Sequence, residues 1–124
     1  MQQKFLRCEK CGNIIAMVHE SGVTPMCCGQ KMTVIEPNTT DAAVEKHVPE
    51  YKVEGDTVTV TVSSVEHPMA EEHFIQWISL QTTEGNQRRV LKPGDKPVAV
   101  FKLNGTDKVE AAYAYCNLHG LWKK

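Results

Sequence analysis

The run Thr57-Val58-Thr59-Val60-Thr61-Val62 alternates polar and apolar residues without a fault. A side-chain period of two places Val58, Val60 and Val62 on one face of a half-buried strand. Further runs of strand composition follow at Phe74 to Leu80, Gln87 to Leu91, Val98 to Leu103 and Val109 to Cys116. They are separated by turn sequences that each carry a glycine: Thr83-Glu84-Gly85-Asn86, Lys92-Pro93-Gly94-Asp95 and Asn104-Gly105-Thr106-Asp107. Short strands at this spacing, with no long helical pattern between them, predict an antiparallel β-sandwich in the second part of the chain.

The first 36 residues read differently. They offer three short apolar stretches, Phe5 to Arg7, Ile14 to Val18 and Met32 to Ile35, with Gly12, Gly22 and Gly29 at the turns. A segment of this size buries too little apolar surface to fold unaided and normally needs a metal or disulfides. It is predicted to be a metal-stapled knuckle, domain 1–36, followed by the sandwich, domain 37–124. Between them Glu36-Pro37-Asn38-Thr39-Thr40-Asp41 has linker composition, and Thr40 or Asp41 is placed to cap one helical turn through Ala42 to Glu45.

Charge narrows the function classes. Fourteen Lys+Arg against fifteen Asp+Glu leave a formal charge of −1, so there is no basic surplus to hold a nucleic acid or an acidic membrane surface. The longest apolar run, Ala111 to Cys116, falls far short of the roughly 20 residues of a membrane-spanning helix. The N-terminal residues show no export signal, which makes the cytoplasm the expected compartment. Five cysteines, an odd number in a reducing compartment, point to metal binding or catalysis in preference to disulfides.

Four of those cysteines form Cys8-Glu9-Lys10-Cys11-Gly12 and Cys27-Cys28-Gly29. The C-x-x-C spacing brings two thiolates to one tetrahedral ion, and a four-sulfur set selects iron or zinc. Adjacent Cys27 and Cys28 must turn to the same ion from neighbouring positions, which is expected to widen the angle between their sulfurs. With four thiolates in place, His19 is assigned to the surface. The other histidines and the fifth cysteine lie in Glu45-Lys46-His47-Val48-Pro49, His67-Pro68-Met69, His73 and Cys116-Asn117-Leu118-His119-Gly120. Cys116 and His119, spaced C-x-x-H at a strand end, can face one ion, and Pro68 places His67 in a loop.

Together these motifs, C-x-x-C-G and C-C-G, then E-K-H-V-P, H-P-M-x-x-x-H and C-N-x-H-G, resemble the desulfoferrodoxin family, the two-iron form of superoxide reductase, over essentially the whole chain. The resemblance implies a rubredoxin- or desulforedoxin-like first domain whose Cys8, Cys11, Cys27 and Cys28 hold one iron. It implies an immunoglobulin-like second domain in which His47, His67, His73 and His119 surround a second iron in a plane, with Cys116 along the axis. It further implies one-electron reduction of superoxide to hydrogen peroxide, a rubredoxin as electron donor, and a homodimer. Five ligands leave an octahedral ion one open position, where a substrate can bind, and a thiolate pushes electron density toward it. Lys46 is the candidate cation for attracting superoxide, and the resemblance implies that Glu45 beside it occupies the open position after turnover. Ala114 departs from relatives that carry an acidic residue two before the axial cysteine. Amides of the Asn117 to His119 turn are candidate donors to the Cys116 sulfur, whereas Trp77, Tyr113, Tyr115 and Trp122 are read as core or shielding residues. The competing readings are a zinc-ribbon binding module without enzymatic activity and a pure electron-transfer protein. A zinc hydrolase is disfavoured, because the thiolate weakens the Lewis acid and no general base is evident.

Overall fold

The computed structural model describes residues 2–39, 47–62 and 67–124. They divide into two compact units, Met1–Glu36 and Pro37–Lys124. Every helix or strand element among the described residues is a β-strand, as the mainly-β reading expects. The helical turn expected at Ala42 to Glu45 lies outside the described residues.

The first unit carries β1 (Phe5–Arg7), β2 (Ile14–Ala16), β3 (Met26–Cys27), β4 (Gln30–Lys31) and β5 (Thr33–Val34). β1 is the centre of a three-stranded antiparallel sheet in the order β2-β1-β5. β3 and β4 form a separate hairpin in which Cys27 pairs with Gln30, leaving Cys28 and Gly29 as a two-residue loop. Both loop residues have positive φ, 54° and 77°. That is the requirement of a type I′ turn. Along a strand, successive side chains point to opposite faces; the left-handed turn at Cys28 breaks that alternation. Leu6, Cys8 and Met32 form the small core, with Ile15, Met17 and Cys27 packed against it.

The second unit contains β6 (Pro49–Glu54), β7 (Thr57–Val62), β8 (Ile75–Thr82), β9 (Gly85–Val90), β10 (Val98–Lys102), β11 (Val109–Cys116) and β12 (Gly120–Lys123). They make two antiparallel sheets, ordered β10-β7-β6 and β12-β11-β8-β9. Taken in chain order, this is the A-B-E and C′-C-F-G division of an immunoglobulin-like sandwich. Val58, Val60, Val62, Ala99 and Phe101 from one sheet meet Ile78, Leu80, Ala112, Ala114 and Cys116 from the other in a single core. Val58, Val60, Val62, Ile75, Ile78 and Leu80 have no exposed surface, and each such aliphatic side chain contributes ~1.5–3 kcal/mol.

In this unit two strands, β6 and β12, go beyond the sequence reading, as β3 and β4 do in the first. β6 is an edge strand whose residues after Pro49 are all exposed, so its alternation carries little hydrophobic contrast. It joins β7 through Gly55-Asp56, with Gly55 at φ 63° in the two-residue turn. β12 has only four residues. Within the segment of linker composition, Asn38 pairs with β12, donating to Leu121 O and accepting from Lys123 N at 2.9 and 2.8 Å.

This topology gathers one end of the sandwich. Pro49 pairs with Val62, so His47 sits beside the end of β7. β8 begins at Ile75, which pairs with Cys116 at the end of β11. The connection before β8 and the β11–β12 turn therefore lie together.

Candidate metal centres

In the first unit the four cysteines converge. Their ligand atoms all lie within 4.8 Å of one another. Cys11 Sγ is 3.6 Å from Cys27 Sγ, and Cys27 Sγ is 4.0 Å from Cys28 Sγ. These are free thiols and not disulfides. A tetrahedral ion with metal–sulfur bonds of ~2.3 Å has sulfur–sulfur edges of ~3.8 Å, so the set fits such an ion. The wider of the two separations is the one between the adjacent cysteines. Cys8 is buried while Cys11 and Cys28 are exposed, so the set has an inner and an outer side.

The knuckle's backbone prepares the thiols unequally. The Cys11 amide donates to Cys8 Sγ at 3.4 Å, and this bond, assisted by the Lys10 amide, lowers the Cys8 thiol to about 6 against the opposition of burial. Cys28 is pushed up to about 12, chiefly by its hydrogen bonds with the Cys11 and Cys8 sulfurs, and Cys27 is raised for the same reason. Four sulfurs so close together cannot all ionise without a cation among them. Asn13 Nδ2 lies 3.7 Å from Cys27 Sγ as a side-chain donor.

At the end of the sandwich His47, His67, His73 and Cys116 form the second set, with ligand atoms within 4.8 Å of one another. His119 stands beside them, its Nδ1 3.1 Å from His47 Nε2 and 3.8 Å from Cys116 Sγ. The four rings close a quadrilateral. Neighbouring centroids are 4.7 Å (His47–His67), 4.8 Å (His67–His73), 5.0 Å (His73–His119) and 4.8 Å (His119–His47), every pair edge-on. The His47–His73 diagonal is 6.5 Å, close to the side-to-diagonal ratio of a square. Imidazole nitrogens at ~2.1 Å from a common ion are ~3.0 Å apart when adjacent and ~4.2 Å apart when opposite. The donor set fits a mononuclear site of four nitrogens and one sulfur.

Local structure explains the aim of each group. Register slips between Tyr115 and Cys116, where β8 inserts Gln76 between the partners Trp77 and Ile75; the bulge bends the start of β8 just after the His73 segment, while Cys116 keeps the inward face of Ala112 and Ala114. His67 Nδ1 lies 2.8 Å from Pro68 O. A proton on Nδ1 makes that bond and leaves the Nε2 lone pair for a metal. Ala70 and His73 exchange both backbone hydrogen bonds, at 3.0 and 3.1 Å, and the Ile75 amide donates to Met69 Sδ at 3.4 Å. Asn117, next to Cys116, reaches across to the His73 segment. Its Nδ2 donates to Glu72 O at 3.0 Å, its Oδ1 accepts from Phe74 N at 2.9 Å, and its own amide donates to Phe74 O at 3.2 Å. That amide is therefore directed at a carbonyl and not at the Cys116 sulfur. The sequence reading missed the Asn117 side chain; an amide able both to donate and to accept, set between two ligands in C-N-x-H-G, was the available signal.

His47 and His67 are buried and His119 is exposed, so the quadrilateral opens to one side. Trp122 stacks on His47 at 4.6 Å and 16°, and Trp77 stacks on Tyr115 at 5.4 Å and 5°. Tyr113 is fully buried and donates to Gln81 Oε1 at 3.0 Å. His19 is exposed. Glu45 and Lys46 lie outside the described residues.

The desulfoferrodoxin profile matches residues 39–124, and the profile of the desulfoferrodoxin N-terminal domain matches residues 1–35. The chain belongs to the desulfoferrodoxin family. The desulfoferrodoxin of Syntrophotalea carbinolica is 50% identical over 117 residues, covering 94% of this chain and 90% of that one. A crystal structure of the superoxide reductase from Treponema pallidum is similar throughout, with a TM-score of 0.86 at 33% identity, covering 99% of this chain and 98% of the other. The superoxide reductase (1Fe-SOR) of Giardia intestinalis matches at TM-score 0.56 and 41% identity, covering 64% of this chain and 95% of that one. No helix among the described residues is long and apolar enough to cross a membrane.

Proposed function

We propose that this desulfoferrodoxin is a superoxide reductase with two iron sites. Cys8, Cys11, Cys27 and Cys28 hold one iron in domain 1–36; His47, His67, His73, His119 and Cys116 hold the other in domain 37–124. The observation that carries this reading is the square of four imidazoles beside one buried thiolate, at the end of a sandwich whose relatives of known structure include superoxide reductases. A ferrous ion in that set supplies the single electron that, with two protons, converts superoxide into hydrogen peroxide, and an external donor restores the ferrous state.

The donor sets themselves allot the roles. Four neutral imidazoles and one thiolate offset only half the charge of a divalent ion, which leaves that end of the sandwich cationic and favourable to a small anion. Four thiolates overcompensate the same ion and repel one. Superoxide is thus directed to the histidine set, and the cysteine set serves as staple or electron carrier. Cys116 supplies the anionic donor, and the His67–Pro68 bond holds that ring in the ligating tautomer. Lys46 adds a second positive charge for the approach of substrate, and Glu45 is the carboxylate that closes the open position after turnover. A rubredoxin-class donor and a homodimeric assembly complete the reading; both rest on the family resemblance.

The decisive experiment mixes the anaerobically reduced, iron-loaded protein with superoxide generated by pulse radiolysis. The expected result is one peroxide per superoxide with no dioxygen evolved. Dioxygen release would indicate dismutation, and unreacted superoxide would leave an electron carrier or a binding module. Replacing Lys46 by Ala should slow the bimolecular step by about tenfold and flatten its salt dependence, with the iron spectrum unchanged.

A further inference from the structure

We propose that Asn117 is the positioning residue of the histidine site, fixing His73 against Cys116 by gripping the two peptide groups that flank it. The inference deepens the reading of this set as an iron site and rests on it. His73 lies in a segment that is only partly buried and follows the 63–66 stretch without a strand of its own. Its ring must nonetheless stand at a set distance from a sulfur carried by another strand. The Asn117 side chain spans that gap with two bonds, Nδ2 to Glu72 O at 3.0 Å and Phe74 N to Oδ1 at 2.9 Å, so that the residue before His73 and the residue after it are both tied to the neighbour of Cys116. The backbone bond from Asn117 N to Phe74 O, at 3.2 Å, closes the third side. The partners fix the amide's orientation: exchanging oxygen and nitrogen would set an N–H against the Phe74 N–H and an oxygen against the Glu72 carbonyl.

No other natural side chain of this length offers one donor and one acceptor at that spacing. Asp keeps the acceptor but sets a carboxylate oxygen against the Glu72 carbonyl; Ala removes both bonds and keeps the backbone one. Groups that orient a metal's ligands typically alter its affinity 10–100-fold when removed.

The test is anaerobic Fe(II) titration of the full chain against a competing chelator, for wild type, Asn117→Ala, Asn117→Asp, His73→Ala and the Asn117→Ala/His73→Ala pair. The expected result is about 10–100-fold weaker Fe(II) binding at the histidine site in both Asn117 variants, with a shifted sulfur-to-iron charge-transfer band and unchanged binding at the four-cysteine site. In the His73→Ala background, removing Asn117 should cause almost no further loss, because it acts through that ring. Amide exchange at Phe74 in the metal-free protein gives a readout independent of iron: faster exchange there in Asn117→Ala, which removes the acceptor, with slow exchange kept in Asn117→Asp and the β7 amides unchanged in both, supports the clamp even if the Ala variant binds Fe(II) too weakly to titrate. Wild-type affinity in both variants, or an undiminished loss in the His73→Ala background, overturns the proposal. Failure of wild type to hold Fe(II) in this set would sink the iron reading and the proposal together. A wild-type protein that binds Fe(II) but leaves superoxide untouched would sink only the activity.

Discussion

The two units build their candidate metal sites in opposite ways. In the first, the small core is Leu6, Cys8 and Met32, and one of those three is itself a member of the sulfur set. In the second, twelve of the described residues pack in a core between two sheets, and among these Cys116 alone also belongs to the site. The ion's place in the energy balance follows. Where the core is thin, the metal completes the fold; where the core is full, the fold presents the metal site at its end. Thiolates suit the first role, since they are strong anionic donors that repel one another without a cation. Imidazoles suit the second, because neutral rings can wait unloaded at a sandwich end without electrostatic strain.

Stripping the metals under reducing conditions tests this contrast most severely. Structural ions of this type bind with ~10–16 kcal/mol, far more than the net stability of a small domain. Residues 2–36 should therefore lose their dispersed amide signals on chelation while the sandwich strands keep theirs. Persistence of β1, β2 and β5 without metal would abolish the distinction. Next in size, Ile78→Ala removes a fully buried side chain from the sandwich core and should lower its stability by about 2–5 kcal/mol. In urea the sandwich transition should move while amide protection in the first unit stays unchanged; a shift of both together would mean that the two units unfold as one.

The smallest expected effect concerns acid stability of the sandwich. Asp107 accepts hydrogen bonds at Oδ1 from Thr83 Oγ1 (2.8 Å), Glu84 N (3.0 Å) and Lys108 N (2.9 Å), joining the β8–β9 turn to the start of β11. Desolvation pushes its carboxyl up, but the hydrogen bonds from Thr82, Thr83, Glu84 and Lys108 together outweigh it and hold the carboxyl below the ordinary carboxylate range. A group depressed in the folded state stabilises above its unfolded value, about 3.9 for Asp, and that contribution fades as pH falls through the folded value. Asp107→Asn should therefore lower the melting temperature slightly at neutral pH and leave a shallower decline between about pH 5 and pH 2 than wild type shows. Parallel acid limbs in the two proteins would remove Asp107 from this role.

What could be read from the residues follows the strength of each signal. The Thr-Val alternation of β7 and the span of β11, Val109 to Cys116, agree with the structure residue for residue, because a strand buried on one face must alternate and a strand covered on both faces, as β11 is from Ala111 to Cys116, reads as an unbroken apolar run. β6 went unread since an edge strand opens its residues to water and loses that contrast. The two-residue ladders of β3 and β4 are too short for any period; only the Cys-Cys-Gly sequence marks them, and it does so through turn geometry. β8 runs two residues further than expected, to Thr82, since the turn needs only Thr83 and Glu84. The cysteine set and the Cys116–His119 pair were legible as spacings, whereas the full set of four histidines came only from the family resemblance; the structure brings each set together. The Asn117 bridge was not, because its partners are backbone groups of a distant segment, which no pattern of side chains reveals.

The seat of Cys116 at the end of β11 has one more implication. β11 is laced to β8 on one side and β12 on the other, so the sulfur is mounted at the end of a strand paired along both edges. His47, His67, His73 and His119 all sit in connections outside the strands. When an ion of different radius or oxidation state enters, adjustment falls to the rings, while the sulfur keeps its station as the fixed reference of the whole assembly.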